Sequence, residues 1–409
     1  MEFDIFTLKN GVRVIHKEIN SPASHCGFII NAGSRDEEDS EHGLAHFLEH
    51  CIFKGTQKRK AFHILNRIDA VGGELNAYTS KEDTVIYASF LAHHYERAIE
   101  LLTDITFRST FPEKEIQKER EIISDEISSY LDSPADQIFD DFEDQIFTNH
   151  RLGRPILGTT ESLYKLGEPE LTRFLHKHYV TENLVFSSAG NISTTKLKSL
   201  LEKHLEEIPS GSYQSKRKPF DHYHLEQRIQ QKEVYQAHLM LGNTAYSYPD
   251  SRRRSMVLLN NILGGPAMNS RLNLNISEKY GFAYNLESNY SSYSDTGIVS
   301  IYLGTDSKSL SRATELIYKE LEKLRTNKLG VRQLSSAKEQ LKGQIALSQE
   351  SGSSLMMALG KSLLSFNQVD DLETIYRDID QITAGELLEI ANEIFDPAQL
   401  SSLTFLPRK

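Results

Sequence analysis

The chain has 409 residues, more than one hydrophobic core usually supports, so at least two domains are expected. Hydrophobic residues at 39% and charged residues at 25% exclude a disordered or collagen-like chain. The formal charge of −11 argues against nucleic acid as a partner, and no run approaches the roughly 18 apolar residues that cross a bilayer, so no membrane partner is expected either.

The first seventeen residues alternate short apolar pairs with charges and lack the apolar core of a signal peptide, so a cytoplasmic protein is expected. Residues 12–14 and 26–31 read as strands, and 44–53 and 61–71 as helices. Val71-Gly72-Gly73-Glu74 is a hairpin-like turn before a strand at 85–91. Helices are expected at 95–107, 113–131 and 170–178, with Pro112 at the position where a proline marks a helix start. Cys26 and Cys51 are too few for a disulfide framework and match no Cys-based zinc motif; two buried thiols are expected, a bridge between them being the alternative.

From about residue 208 to 232 apolar periodicity fails, and Pro-Ser-Gly-Ser-Tyr-Gln-Ser-Lys-Arg-Lys-Pro reads as a polar linker. Sliding the second half back by 215 to 218 positions aligns Val-Ile-Tyr-Ala-Ser at 85–89 with Ser-Ile-Tyr-Leu-Gly at 300–304. The same shift pairs Arg97-Ala98 with Arg312-Ala313, Glu100-Leu101 with Glu315-Leu316, and 119–127 with 337–345. One supersecondary pattern is thus written twice, the alternative being two unrelated α/β domains with chance similarity. The expected fold class is α+β, with two homologous domains, each a mostly antiparallel sheet covered on one face by helices. Their expected bounds are 1–210 and 233–409, with 211–232 as the linker.

The run Gly43-Leu44-Ala45-His46-Phe47-Leu48-Glu49-His50 contains His-x-x-Glu-His on a helical segment. At about 100° per residue, offsets of three and four return to one face, so His46, Glu49 and His50 project within one arc. Histidines at i and i+4 can each give a ring nitrogen to a tetrahedral Zn2+ ion, with Glu49 beside the attacking water. A third protein ligand is required, and Glu126 on the 113–131 helix is the candidate. Glu119 lies two turns earlier on the same face and is expected to serve the catalytic centre by orienting a histidine or the ligand carboxylate. The alternative is a helix that merely exposes its His and Glu. Against it, Leu44, Phe47 and Leu48 make the segment amphipathic, and a buried polar triplet is costly without a partner such as a metal.

The second half supplies a contrast. Positions offset from 46–50 fall within 261–268, which hold neither His nor Glu, while Glu126 and Glu119 align with Gln344 and Ala337. Loss of the set together marks the first half as metal-bearing and the second as a degenerate copy. His93-His94 and His222-x-His224 have no carboxylate so arranged and are expected to be solvated or capping residues.

These residues resemble the pitrilysin-type zinc metallopeptidases, the family that includes insulin-degrading enzyme and the mitochondrial processing peptidase, and in particular its short two-domain members. The inverted zinc motif is their signature. The resemblance runs from Asn10-Gly11-Val12-Arg13-Val14 through Ala32-Gly33-Ser34-Arg35-Asp36, Phe53-Lys54-Gly55-Thr56 and Gly72-Gly73-Glu74-Leu75-Asn76-Ala77-Tyr78 to Glu119-Arg120-Glu121-Ile122-Ile123-Ser124-Asp125-Glu126. It implies that Glu126 completes the Zn2+ site and that Glu119 supports it. It also implies that Asn76 and Ala77 lie on an exposed edge strand, to which a peptide adds as a further strand; an ordinary strand edge after the Gly72-Gly73 turn is the alternative.

In the second half, Ser270-Arg271-Leu272 and Gly281-Phe282-Ala283-Tyr284 are similar to the family segment that carries an Arg/Tyr pair contacting substrate. Tyr284 matches, but Ser277 stands where the arginine is expected, so Arg271 or Lys279 substitutes, a partner subunit supplies the contact, or the contact is absent. The implied function is a zinc-dependent endopeptidase acting on peptides or unfolded polypeptide, with a non-catalytic structural or processing-complex subunit as the alternative. Members of this length work as dimers, so a homodimer is expected, or a heterodimer with a related subunit.

Overall fold

In the computed structural model, which describes residues 3–214 and 216–408, stretches rich in Val, Ile and Phe pair into two sheets, one in each of two compact units. The first unit comprises the residues up to Ser128, then Arg154–Lys218 and Leu347–Asp371. Its strands are β1 (Asp4–Thr7), β2 (Arg13–Glu18), β3 (Ala23–Ile30), β4 (Glu74–Thr79), β5 (Thr84–Leu91) and β6 (Leu184–Gly190), in the order β1-β2-β6-β3-β5-β4. Only β2 and β6 run parallel.

Side chains alternate between the two faces of a strand, and here both faces are apolar. Val14, Phe28, Ile30, Ile86 and Phe186 join Phe47, Leu48, Ala98 and Leu102 in the main core, beneath helices that include Leu44–Cys51 and Tyr95–Phe107. Ile15, Ile29, Val85 and Val185 point the other way and meet Leu355, Met356, Leu359 and Leu363 of the helix Gly352–Phe366. That helix sits close: Ser187 donates its hydroxyl to the Met356 carbonyl at 2.6 Å, and a Cβ on Gly360 would lie 2.4 Å from Ile29 Cδ1. Burial on both faces explains why β6 reads as a nearly unbroken buried run rather than an alternating one.

The second unit comprises Ser129–Gly153, Pro219–Ala346 and the residues from Leu372 onward. Its strands are β7 (Gln227–Lys232), β8 (Ala237–Ala245), β9 (Asn285–Ser292), β10 (Gly297–Thr305) and β11 (Ser401–Pro407), in the order β7-β11-β8-β10-β9. Again one pair, β7 with β11, is parallel. Leu239, Leu241, Val299 and Ile301 face the helices Arg253–Gly264, Leu310–Thr326 and Ala384–Ile394. Met240, Ile298, Leu403 and Phe405 face Ile138, Phe142 and Ile146 of the helix Pro134–Ile146.

The class is therefore α+β with two mostly antiparallel sheets of like design. Helices cover one face of each sheet as expected, and one further helix, from the opposite half of the sequence, packs on the other face. The compact units thus do not follow contiguous stretches of chain, and β7 occupies the end of the segment read as linker. The thiols of Cys26 and Cys51 are free and buried. Among the described residues no helix is long and apolar enough to cross a membrane.

One buried histidine lies in the first unit. His178 ends the helix Glu168–His178 between Phe174 and Tyr213, fully buried, with no hydrogen-bond partner for either ring nitrogen among the described residues. Burial holds its pKa down at about 4, with nearby Asp36 opposing the shift.

Candidate metal centre

The helix Leu44–Cys51 buries Leu44, Phe47, Leu48 and Cys51 in the first core, which fixes the direction of its other face. Its start is clamped. Gly43 adopts φ +91°, and a Cβ there would lie 2.8 Å from the Leu157 carbonyl oxygen and 2.9 Å from Gly158 Cα, so only glycine fits. The backbone N–H groups of Gly43 and Ala45 donate to the two oxygens of Glu37 at 3.0 and 2.8 Å, satisfying donors that the first helical turn leaves open. Burial raises the Glu37 carboxyl to about 8, with those two N–H donors pulling it back. Glu37 escaped the sequence reading; an acidic residue shortly before a helix start is the signal that finds it.

The helix Glu113–Leu131 buries Ile116, Glu119, Ile123 and Ile127, a stripe at helical spacing that turns Glu119 and Glu126 toward the first helix. Oε2 of Glu126 lies 3.9 Å from Nε2 of His46 and 3.7 Å from Nε2 of His50. One donor atom from each of the three residues falls within 4.8 Å of the others. His50 donates Nδ1–H to Oε2 of Glu119 at 3.2 Å, which leaves Nε2 facing Glu126. Burial, and then the neighbouring His50, depress the His46 pKa to about 3, so this imidazole is neutral and able to act as a ligand.

Donor atoms bound tetrahedrally at 2.0–2.1 Å stand about 3.4 Å apart, so the observed spacings need a contraction of only a few tenths of an ångström at the two measured contacts. Two histidines and one glutamate are also the donor set of a catalytic zinc site, which keeps one position open. The residues present therefore fit zinc.

Glu49 projects from the same helix and is half-buried. Burial raises its pKa, opposed by Thr79 and His50 and reinforced by Glu126. Thr79 is the last residue of β4, the terminal strand of its sheet, where Asn76 and Ala77 pair with Tyr87 and Ile86 of β5 on one side only. Asn76 is exposed, while Ala77 packs partly against the core. His46, Glu49, His50, Glu119 and Glu126 are thus brought together, with the end of the edge strand beside them.

Tyr284 and Arg271 belong to the second unit. Tyr284 is 70% exposed and donates its hydroxyl to Asp306 at 3.1 Å. Arg271 is half-buried, its pKa lowered by burial with Glu320 opposing. Around Asn260 and Asn261 the second unit has a cleft of about 550 Å³ whose lining includes Ser270, Asn273 and Glu278 but no histidine.

Two family models match the chain in succession. Residues 13–160 match the family model described as insulinase, peptidase family M16, and residues 165–341 match the peptidase M16 inactive domain. The chain is 36% identical over 397 residues to YmxG of Bacillus subtilis (strain 168), described as an uncharacterized zinc protease, covering 95% of each chain. It is 34% identical over 407 residues to an uncharacterized zinc protease of Rickettsia felis, covering 98% of this chain and 97% of the relative. Among solved structures, one described as the peptidase M16 inactive domain from Pseudomonas fluorescens superposes with a TM-score of 0.93 at 18% identity, covering 100% of this chain and 98% of that one. A protease from Helicobacter pylori superposes at 0.89 with 21% identity, covering 99% and 100%.

Proposed function

The chain belongs to peptidase family M16, the insulinase family, and from that premise we propose that it is a zinc-dependent endopeptidase acting on peptides or unfolded polypeptide segments. His46, His50 and Glu126 would hold the ion. When bound, zinc supplies a Lewis acid that acidifies water toward neutral pH and polarises the scissile carbonyl. Glu49 takes one proton from the attacking water as its oxygen bonds to the carbonyl carbon. It then delivers that proton to the amine as the carbon–nitrogen bond breaks. By accepting the Nδ1–H of His50, Glu119 would leave Nε2 of that ring as the atom that holds the ion.

The free edge of β4 offers backbone donors and acceptors to an extended segment, and Glu49 meets the end of that strand at Thr79. Addition of the substrate as a further strand is largely indifferent to side chains, which suits an enzyme that takes unfolded chains. Tyr284 and Arg271 are the proposed substrate contacts from the second unit, Tyr284 being the more accessible of the two. A homodimer completes the reading, as expected for short members of the family.

The observation that carries this reading is the convergence of the three donor atoms within 4.8 Å, with the half-buried Glu49 on the same helical turn as the two histidines. Elemental analysis of the purified protein together with cleavage of a quenched fluorescent peptide tests it. Stoichiometric zinc with hydrolysis is expected. Zinc-free protein without hydrolysis would instead identify a non-catalytic subunit.

A further inference from the structure

We infer that Lys54 is a positioning residue of the metal centre, holding one oxygen of Glu119 so that the other accepts the Nδ1 proton of His50. This rests on the zinc reading above and extends it by one residue outward.

The carboxylate of Glu119 is almost completely enclosed, with its side chain 4% exposed, and its two oxygens have separate occupations. Oε2 receives His50 Nδ1 at 3.2 Å, and Oε1 receives Lys54 Nζ at 2.8 Å. Lys54 stands four residues after His50, so a single turn of chain brings both groups to one acceptor. The backbone there is fixed: Lys54 N–H donates to the Cys51 carbonyl at 3.0 Å, and the Gly55 carbonyl accepts Thr110 N–H at 3.1 Å. A buried carboxylate with one cationic partner removed is left with an uncompensated charge. It then has reason to turn, and the Nδ1–H of His50 loses the acceptor that selects its tautomer.

A salt bridge serving only to close the turn after the helix would leave that tautomer, and the affinity for metal, untouched. The two roles therefore separate in measurements that do not involve turnover. In the metal-free protein, long-range ¹H–¹⁵N correlation of the imidazoles reports which nitrogen of His50 carries the proton. Competition with a chromophoric chelator gives the zinc dissociation constant.

Lys54→Met is expected to weaken zinc by about 10- to 100-fold and to mix the His50 tautomers, whereas Lys54→Arg stays within about threefold of the parent with Nδ1 still protonated. In a Glu119→Gln background, adding Lys54→Met leaves neither member of the ion pair charged, so the double variant carries no unpaired buried charge of the kind that Lys54→Met alone creates. There, Lys54→Met should add less than about twofold. Parent-like zinc affinity and tautomer in Lys54→Met, or a loss of the same size in the Glu119→Gln background, would overturn the inference. Failure of the unsubstituted protein to bind zinc at all would overturn the metal reading itself, and that result is obtained before any variant is compared.

Discussion

Replacing Glu49 by Gln keeps the volume of the side chain and its place beside Thr79, and removes only the ability to take a proton. The surroundings decide how much activity survives. Of the other carboxylates in the cluster, Glu126 faces both histidines at 3.7 and 3.9 Å, and both oxygens of Glu119 are taken by His50 and Lys54. No second base is free to stand in, so the loss should fall in the upper part of the range for general-base removal, about 10³- to 10⁴-fold in kcat/KM, or about 4–5.5 kcal/mol at 1.36 kcal/mol per tenfold. Zinc content should not change, because the three ligand atoms are untouched. The assay pairs elemental analysis with initial rates on a quenched peptide. A Glu49→Gln protein that carries zinc and cleaves within tenfold of the parent would refute the reasoning.

Gly43→Ala forces an L-residue to φ +91° and drives its Cβ against backbone atoms that cannot give way cheaply; a loss of about 2–4 kcal/mol is expected by denaturant titration, and wild-type stability would contradict the clamp at the helix start. His178 has a folded pKa of about 4 against an ordinary 6.5, so its contribution is intact above pH 6.5 and is lost as pH falls toward 4, where the unfolded chain binds a proton the fold refuses. His178→Leu should therefore flatten the acid-side fall in unfolding free energy by up to about 3 kcal/mol, and identical slopes in both proteins would count against it. Substrates N-methylated at alternating backbone positions should show KM raised at least tenfold for one phase of the alternation and little change for the other; equal KM for both phases would remove strand addition to β4 from the mechanism.

The parts of the structure legible in the sequence are those whose signal is local. Offsets of three and four residues brought His46, Glu49 and His50 to one side of a helix, and an offset of seven put Glu119 and Glu126 on another. The strand at 85–91 and the helices at 95–107 and 113–131 lie where periodicity put them. What stayed hidden depends on partners far along the chain. An amphipathic helix announces that it has an apolar side but not which sheet that side meets, so the destinations of Pro134–Ile146 and Gly352–Phe366 could not be read. The strand β7, Gln-Arg-Ile-Gln-Gln-Lys, is too polar to stand out from the loop before it. Within the centre, the role of Lys54 could not be read because it acts through a contact with Glu119, sixty-five residues away, and Glu37 was passed over although its place before the helix start was a local signal.

The helix Gly352–Phe366 covers the face of the first sheet that bears Ile15, Ile29, Val85 and Val185, although some 160 residues of chain separate it from the end of β6. A ribosome therefore completes the six strands long before it makes their lid. A nascent chain paused near the middle carries a bare greasy plate, the sort of surface that chaperones hold and that other chains stick to. Truncation at the duplication boundary would make that vulnerable interval permanent, so this peptidase half should be expressed together with its distal segment, in one polypeptide or as a supplied fragment.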